Sequence, residues 1–309
     1  MQIVVRQISG LGNQLFQYAA GRYFARRYGA DMRLAVDSRG ANANGYSRPF
    51  LLNQYSITSP CHPLTTMERL MLSPKPQLRL AGNTLRRLTR TQIVVEQVEQ
   101  RYKFLSDLLL EKDAQTVFLV GYWQAYRFAT EVENELRSEF TLRTPPTGEN
   151  LRLLGQIQDA EHPVSLHMRR GDYVLGTDGF IALSVDYYKR AMYSLKERVT
   201  NPRFFVFSDD IEFAKKSLPE DEPIVFVNHN DSSSAHEDLR LMSSCRDHII
   251  ANSSFSWWGA WLNPRRDKTI YSPRYWHLHR NHSLSELLPA DWVLADNMNE
   301  LADCRLSSK

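Results

Sequence analysis

Two periodicities alternate along the chain. IVVRQ, at residues 3–7, is a short apolar run with the character of a buried strand. After the loop SGLG, the apolar positions Leu15, Phe16, Ala19, Ala20, Tyr23 and Phe24 recur at three-to-four spacing with arginines opposite. That pattern predicts a helix over about 13–28, with Asn13 as its cap and Gly29 as its stop. MRLAV reads as a second strand and completes a β-loop-α-β unit.

The middle, about 40–115, carries prolines at 49, 60, 63, 74 and 76 and predicts a less regular insertion. TVFLVGYWQ then reads as a strand and ATEVENELRSEF as a helix. TPPTGEN, at 144–150, is the best linker. Beyond it the alternation sharpens. PVSLHM, RFFVFSDD, PIVFV, DHIIANS and KTIYS read as strands, and VDYYKRAMYSLKERV, IEFAKKSL, HEDLRLMSSC and FSWWGAWLN as helices. Strands alternating with helices imply parallel sheets covered by helices. The fold class is therefore α/β, with two doubly wound halves over about 1–150 and 151–309.

Composition narrows the function classes. The chain has 309 residues, 42% hydrophobic and 24% charged, enough for two domains with sizeable cores. Thirty-eight basic against 35 acidic residues is near balance, which argues against a nucleic-acid partner. The three cysteines, Cys61, Cys245 and Cys304, show no CxxC spacing and suggest a reducing compartment. The amino terminus is too polar for a signal peptide, and no run approaches the roughly 18 apolar residues that span a bilayer. The expected location is cytoplasmic.

Ligands on doubly wound sheets bind at the carboxyl ends of strands, so four loops matter: SGLGNQ, RRGDY, SDD and ANSSF. In the first, Asn13 and Gln14 offer amides to a sugar or phosphate oxygen, beside glycines that permit a tight turn; the alternative is an ordinary strand-to-helix turn. In HMRRGDY, a planar arginine fork suits phosphate. Adjacent side chains on an extended segment face opposite ways. Arg169 is therefore expected to face a ligand, with Arg170 pairing a carboxylate such as Asp172; a surface salt-bridge cluster is the alternative, and a structural role for His167. One acid of SDD should cap the next helix, leaving the other for a guanine edge, a ribose or a metal. ANSSF presents N–H and hydroxyl donors to a phosphate, with Phe255 at the helix mouth. Trp257, Trp258 and Trp261 read as core.

GLGNQLFQYAAG, HMRRGDY, FSDD and LMSSCRDHIIANSSFSWWGAWLN, in this order from residue 9 to about 263, resemble the α-1,2-fucosyltransferases of glycosyltransferase family 11. The resemblance implies a GT-B-like fold of two Rossmann-type domains facing a cleft. The first would be the acceptor side and the second would bind GDP-fucose, with a last helix placed to pack back on the first. It implies inverting transfer of fucose to the 2-hydroxyl of a terminal β-galactoside, with no cofactor and no required metal. Arg169 would hold the β-phosphate. His167 and Asp210 would lie near the guanine, with Ser208 in the same loop. Asn252, Ser253, Ser254 and Phe255 would form the diphosphate side, and Asn13 and Gln14 would face the cleft. For the base, Asp172 is the nearest motif carboxylate and Asp178 the alternative.

The acceptor implied is a galactose-terminated oligosaccharide or a lipid-linked glycan, as in surface O-antigen-type synthesis. Residues 75–90 carry five basic residues and no acidic one. They read as a solvated helix face, with weak peripheral contact to an anionic membrane as the alternative. Two rivals stay open: a glycosyltransferase of other donor or linkage, and a non-catalytic nucleotide- or glycan-binding module.

Overall fold

The computed structural model describes residues 1–36, 48–174, 180, 182–277 and 283–297, with the backbone alone at Asp172 and Val174. The chain divides into two compact units, Met1–Arg143 with Glu286–Leu288, and Thr144–Ser285 with Pro289 onward.

The first unit contains β1 (Gln2–Gln7), α1 (Leu11–Tyr28), β2 (Asp31–Val36), β3 (Cys61–Pro63), α2 (Thr66–Met71), α3 (Arg79–Leu88), β4 (Thr91–Val95), β5 (Thr116–Val120), α4 (Tyr126–Glu131) and α5 (Glu133–Glu139). Its strands form one parallel sheet in the order β3-β2-β1-β5-β4. Val4, Ala35 and Phe118 pack one face against Leu64, Met71 and half-buried Leu85. On the other face α1 lies very close. A Cβ at Gly21 would stand 2.3 Å from Val5 Cγ2, so only glycine fits there.

Several expectations change here. The helix begins at Leu11, because extended Gly10 is its cap and its carbonyl takes the N–H groups of both Asn13 and Gln14. Asn13 is therefore inside the first turn rather than the cap. Gly29 does end the helix in the left-handed region, at φ 58°. The middle of the unit is more than an irregular insertion: it supplies β3 and β4, the two edges of the sheet, together with α2 and α3. Pro63 is tolerated because β3 is an edge strand. The expected 129–140 helix is two helices, α4 and α5, interrupted at Val132, whose ψ of 32° departs from helical geometry.

The second unit contains α6 (Gly148–Asp159), β6 (His162–Met168), α7 (Gly171–Val174), α8 (Val185–Lys196), β7 (Pro202–Ser208), α9 (Ile211–Ser217), β8 (Ile224–Val227), α10 (Ala235–Ser244), β9 (Asp247–Ile249), α11 (Ser254–Leu262), β10 (Ile270–Pro273) and β11 (Val293–Ala295). The division between units falls at Arg143, where the proline stretch starts, and α6 already claims its last three residues. Among the described residues no helix follows α11, and residues 298–309 lie outside them.

This sheet is also parallel, in the order β11-β10-β9-β6-β7-β8. Central β6 is buried at every position, as a parallel strand covered on both faces must be. Leu166, Met168, Phe204 and Val206 pack with Tyr187, Tyr188 and Ile249. Trp257, Trp258 and Trp261 are buried as expected, with the Trp257 ring 5.5 Å from that of Trp292.

Candidate functional site

The second unit's sheet reverses its winding direction once, whereas in the first unit the chain runs outward through β1, β2 and β3, crosses to the far edge at β4 and steps back to β5 beside β1. In the second unit the chain runs outward through β6, β7 and β8, then restarts beside β6 with β9 and continues to β10 and β11. The switch lies between β6 and β9, and a crevice outside the carboxyl ends of such a pair is where these folds bind ligands. RRGDY follows β6, ANSSF follows β9, and SDD ends β7 on β6's other side. Three of the four chosen loops therefore converge on one edge.

Register determines which charges meet. Met168 is the partner of Ser208, so the residues after each strand, Arg169 and Arg170 on one and Asp209 and Asp210 on the other, emerge side by side. Arg169 Nη1 lies 2.9 Å from Asp209 Oδ2. Asp209 Oδ1 accepts the Arg170 backbone N–H at 2.9 Å. One carboxylate thus spans a guanidinium and the peptide beside it. A Cβ at position 171 would meet Asp209 Oδ2 at 2.6 Å, so Gly171 is what lets the acid come this near.

Arg170 turns elsewhere. Its Nε is 3.5 Å from Asp210 Oδ2, and its guanidinium lies over the Phe213 ring, 3.3 Å from the centroid. Its carboxylate partner among the described residues is Asp210, which the β6–β7 register brings alongside. Asp210 also accepts the Phe213 N–H at 3.1 Å and caps α9, while Ser208 Oγ accepts the Asp210 N–H at 3.0 Å. Asp210 is thus the capping acid, and Asp209 is the acid the sequence reading passed over.

Around this pair the edge is aromatic. His167 is buried, its ring 5.7 Å from that of Phe255 at the start of α11. Burial, and then the nearby Arg169 charge, push its pKa down to about 3, so the imidazole is neutral. Its Nδ1 is buried without a hydrogen-bond partner among the described residues. Tyr173 stacks on Phe180 at 4.7 Å, and its hydroxyl donates to the Asn252 carbonyl at 3.2 Å. The Arg169 guanidinium is 5.6 Å from the Tyr173 centroid.

Asn252 is 0% exposed and its Nδ2 donates to the Trp276 carbonyl at 3.0 Å. Its side chain anchors the loop to the segment at Trp276. Ser253 accepts the Phe255 N–H at 3.3 Å and caps α11, with Ser254 and Phe255 half-buried behind it. Asp178 and the side chain of Asp172 lie outside the described residues.

In the first unit the switch lies between β1 and β5. Ser9, just after β1, is held in the left-handed region at φ 67°. The Asn13 Nδ2 donates to Ser9 Oγ at 2.9 Å, and Gln14 Nε2 donates to the Ser9 carbonyl at 2.9 Å. Gln14 Nε2 also donates to the Pro49 carbonyl and its Oε1 accepts the Leu51 N–H. With three bonds to backbone and 2% exposure, Gln14 braces the loop. Gly10 needs no special conformation, and nothing lies within 4 Å of a Cβ placed on it; the left-handed position is Ser9.

Asn13 reaches across the switch: its Oδ1 accepts from Gln124 Nε2 at 2.6 Å. The loop carrying Gln124 is held by Glu96, whose Oε2 accepts the N–H groups of Tyr122 and Trp123 at 2.7 and 3.1 Å. Burial raises the Glu96 pKa against those two donors. Trp123 is held at φ 55°. Neither Glu96 nor Gln124 could be picked out in sequence, since each follows a strand without a motif around it.

Among the described residues no three His, Cys, Asp or Glu side chains are grouped to hold a metal ion.

Two parallel-sheet units of this build, the second with an arginine–carboxylate pair beside its switch point, have the architecture of the GT-B fold. More narrowly, the chain belongs to glycosyl transferase family 11, whose model matches residues 2–294. It is 32% identical over 303 residues to the alpha-1,2-colitosyltransferase of Escherichia coli, covering 94% of this chain and 98% of that protein. It is 28% identical over 302 residues to the O-antigen biosynthesis glycosyltransferase WbnK of Escherichia coli, covering 92% and 97%. In fold it resembles the NodZ alpha-1,6-fucosyltransferase co-crystallized with GDP, known from Bradyrhizobium. The TM-score is 0.53 at 16% identity, over 87% of this chain and 94% of that one.

Proposed function

We propose that the chain transfers L-fucose from GDP-fucose to the 2-hydroxyl of a terminal β-galactoside, with inversion and without a metal, in the synthesis of an O-antigen-type surface glycan. The observation that carries this reading is the Arg169–Asp209 pair, joining the ends of β6 and β7 beside the β6–β9 switch of a family 11 chain. The two full-length relatives, one named for α-1,2 transfer and one for O-antigen synthesis, support the linkage and the setting.

In the proposed reaction the acceptor oxygen attacks the anomeric carbon from the face opposite GDP. The bond from that carbon to the β-phosphate oxygen breaks, and its electron pair leaves with GDP. Arg169 meets the growing negative charge; a fixed donor of this kind is worth about 2.7–4 kcal/mol at the transition state. Asp209 keeps the guanidinium oriented before the donor arrives. Neutral His167 and Phe255 would flank the nucleotide, and the first turn of α11 would offer N–H groups to the diphosphate. The acceptor proton passes to a carboxylate, with Asp172 and Asp178 the candidates.

A second reading has a specific support. The colitosyltransferase relative makes colitose, which is fucose without its 3-hydroxyl, an equal candidate for the sugar transferred. A donor panel of GDP-fucose and GDP-colitose with lactose as acceptor, run with and without EDTA and followed by linkage analysis, tests both. An α-1,2-fucosyl product formed in EDTA supports the first reading. Colitosyl transfer alone selects the second, and GDP binding without any transfer overturns both.

A further inference from the structure

We propose that the outer face of α3 docks the protein on an anionic phospholipid surface. This goes beyond the transfer reaction, and the binding needs neither donor nor acceptor. The inner face of α3 is settled by packing. A Cβ at Gly82 would lie 3.0 Å from the Leu70 carbonyl oxygen, Leu85 packs against the core beside Met71, and Arg86 Nε donates to the Met71 carbonyl at 3.0 Å. At 100° per residue, the opposite face carries Leu80, Thr84, Arg87 and Leu88, with Arg79 and Asn83 on one flank. Leu80 is 80% exposed and Leu88 76% exposed, the former among the most open large apolar side chains of the described residues.

Single exposed leucines are ordinary; two on one helix face bordered by arginines are not. Lys75, Arg79, Arg87 and Arg90 are all exposed, and residues 75–90 include no acid. A protein partner would answer these cations only with an acidic face that also admits two leucines. Lipid phosphates answer them while the leucines enter the headgroup boundary, which is the arrangement of helices that lie in the membrane plane. No helix among the described residues is long and apolar enough to cross a membrane, so the contact is peripheral.

The test is flotation of the full chain with phosphatidylethanolamine vesicles containing about 30% phosphatidylglycerol, against phosphatidylcholine vesicles. Binding to the anionic vesicles alone is expected, with release in salt of about 0.5 M. Leu80→Gln with Leu88→Gln should weaken that binding at least about tenfold. Transfer to a soluble acceptor should be unchanged in the same variant, which separates this inference from the proposed reaction. Absence of binding to anionic vesicles, or equal binding by the double variant, overturns the proposal. So does a concentration-dependent dimer that the same substitutions abolish, since that would assign the face to a second copy.

Discussion

Asp209 holds Arg169 through one oxygen at 2.9 Å and the Arg170 peptide N–H through the other, also at 2.9 Å. The acid thereby fixes the guanidinium relative to the end of β6, and on the proposed mechanism the cation keeps the carboxylate from facing the donor's phosphate unneutralised. Pre-placed charge is the economical way to stabilise a departing diphosphate, because no reorganisation is needed at the moment of bond breaking. The pair depends on Gly171, since a side chain there would occupy the position of Asp209 Oδ2.

Arginine cannot be exchanged for lysine at such a site. The planar fork can contact Asp209 and a phosphate at once, whereas an ammonium is a single point of charge. Arg169→Lys and Arg169→Ala are each expected to lower kcat at least about a hundredfold, with the lysine variant folded normally. Steady-state kinetics with saturating GDP-fucose checks this. Near-normal turnover by the lysine variant would remove the forked contact from the mechanism.

Asp209 is a positioning residue, and its variants should behave differently. Asp209→Asn retains an oxygen for the Arg170 N–H but loses the charge that orients Arg169. The expected result is a fall in kcat of about tenfold, smaller than at Arg169, with a lesser change in the KM for acceptor. Gly171→Ala should act through the same carboxylate, so the double variant should be little worse than either single one. Additive losses in the double-mutant cycle would show that Gly171 serves another purpose.

How far the sequence anticipates this site depends on which interactions are local. The strand-end loops RRGDY, SDD and ANSSF were legible because apolar runs that stop at polar residues mark carboxyl ends, and these three do meet at one edge. The tryptophans of α11 were legible as core from their helical spacing. Which acid of SDD faces Arg169 was not legible, because it follows from the pairing of Met168 with Ser208, a contact between segments 40 residues apart. The bracing role of Gln14 was not legible for a related reason: its amide bonds the backbone at Pro49 and Leu51, far along the chain. β3 was hidden by its shortness and by Pro60 and Pro63, while β4, with no proline near it, was absorbed into the stretch read as irregular.

The Glu96 clamp carries a further expectation. Its carboxylate takes two peptide N–H groups and holds Trp123 in a left-handed conformation, from which Gln124 reaches Asn13. Glu96→Ala leaves both donors without that acceptor, at a cost of about 1–3 kcal/mol. Lower stability in urea should therefore accompany a raised KM for acceptor, if the first unit's switch point is the acceptor side. Gln124→Ala, which leaves the clamp intact, should raise that KM with little loss of stability.

Acid should unfold the second unit early. His167 and His248 are both buried, and burial pushes both pKa values down to about 3, with Arg169 and Lys268 adding repulsion. Asn263 Nδ2 lies 2.8 Å from His248 Nε2 and Ser165 Oγ lies 2.7 Å from its Nδ1. An amide nitrogen can only donate, so Nε2 is the acceptor and the proton sits on Nδ1, toward Ser165. In the unfolded chain each imidazole returns to about 6.5. The unfolded state then binds more protons than the folded one between about 6.5 and 3. Stability is accordingly complete above about pH 6.5 and lost as pH falls, by up to about 1.4 kcal/mol per pH unit for each histidine. Five of the six tryptophans, all but Trp123, belong to this unit, so their fluorescence reports its unfolding. Urea midpoints should fall clearly from pH 7.5 to 5.5, and His248→Gln, though less stable at pH 7.5, should show a shallower fall. A midpoint that does not move with pH, or an unchanged slope in the variant, would mean that these histidines do not set the acid limit.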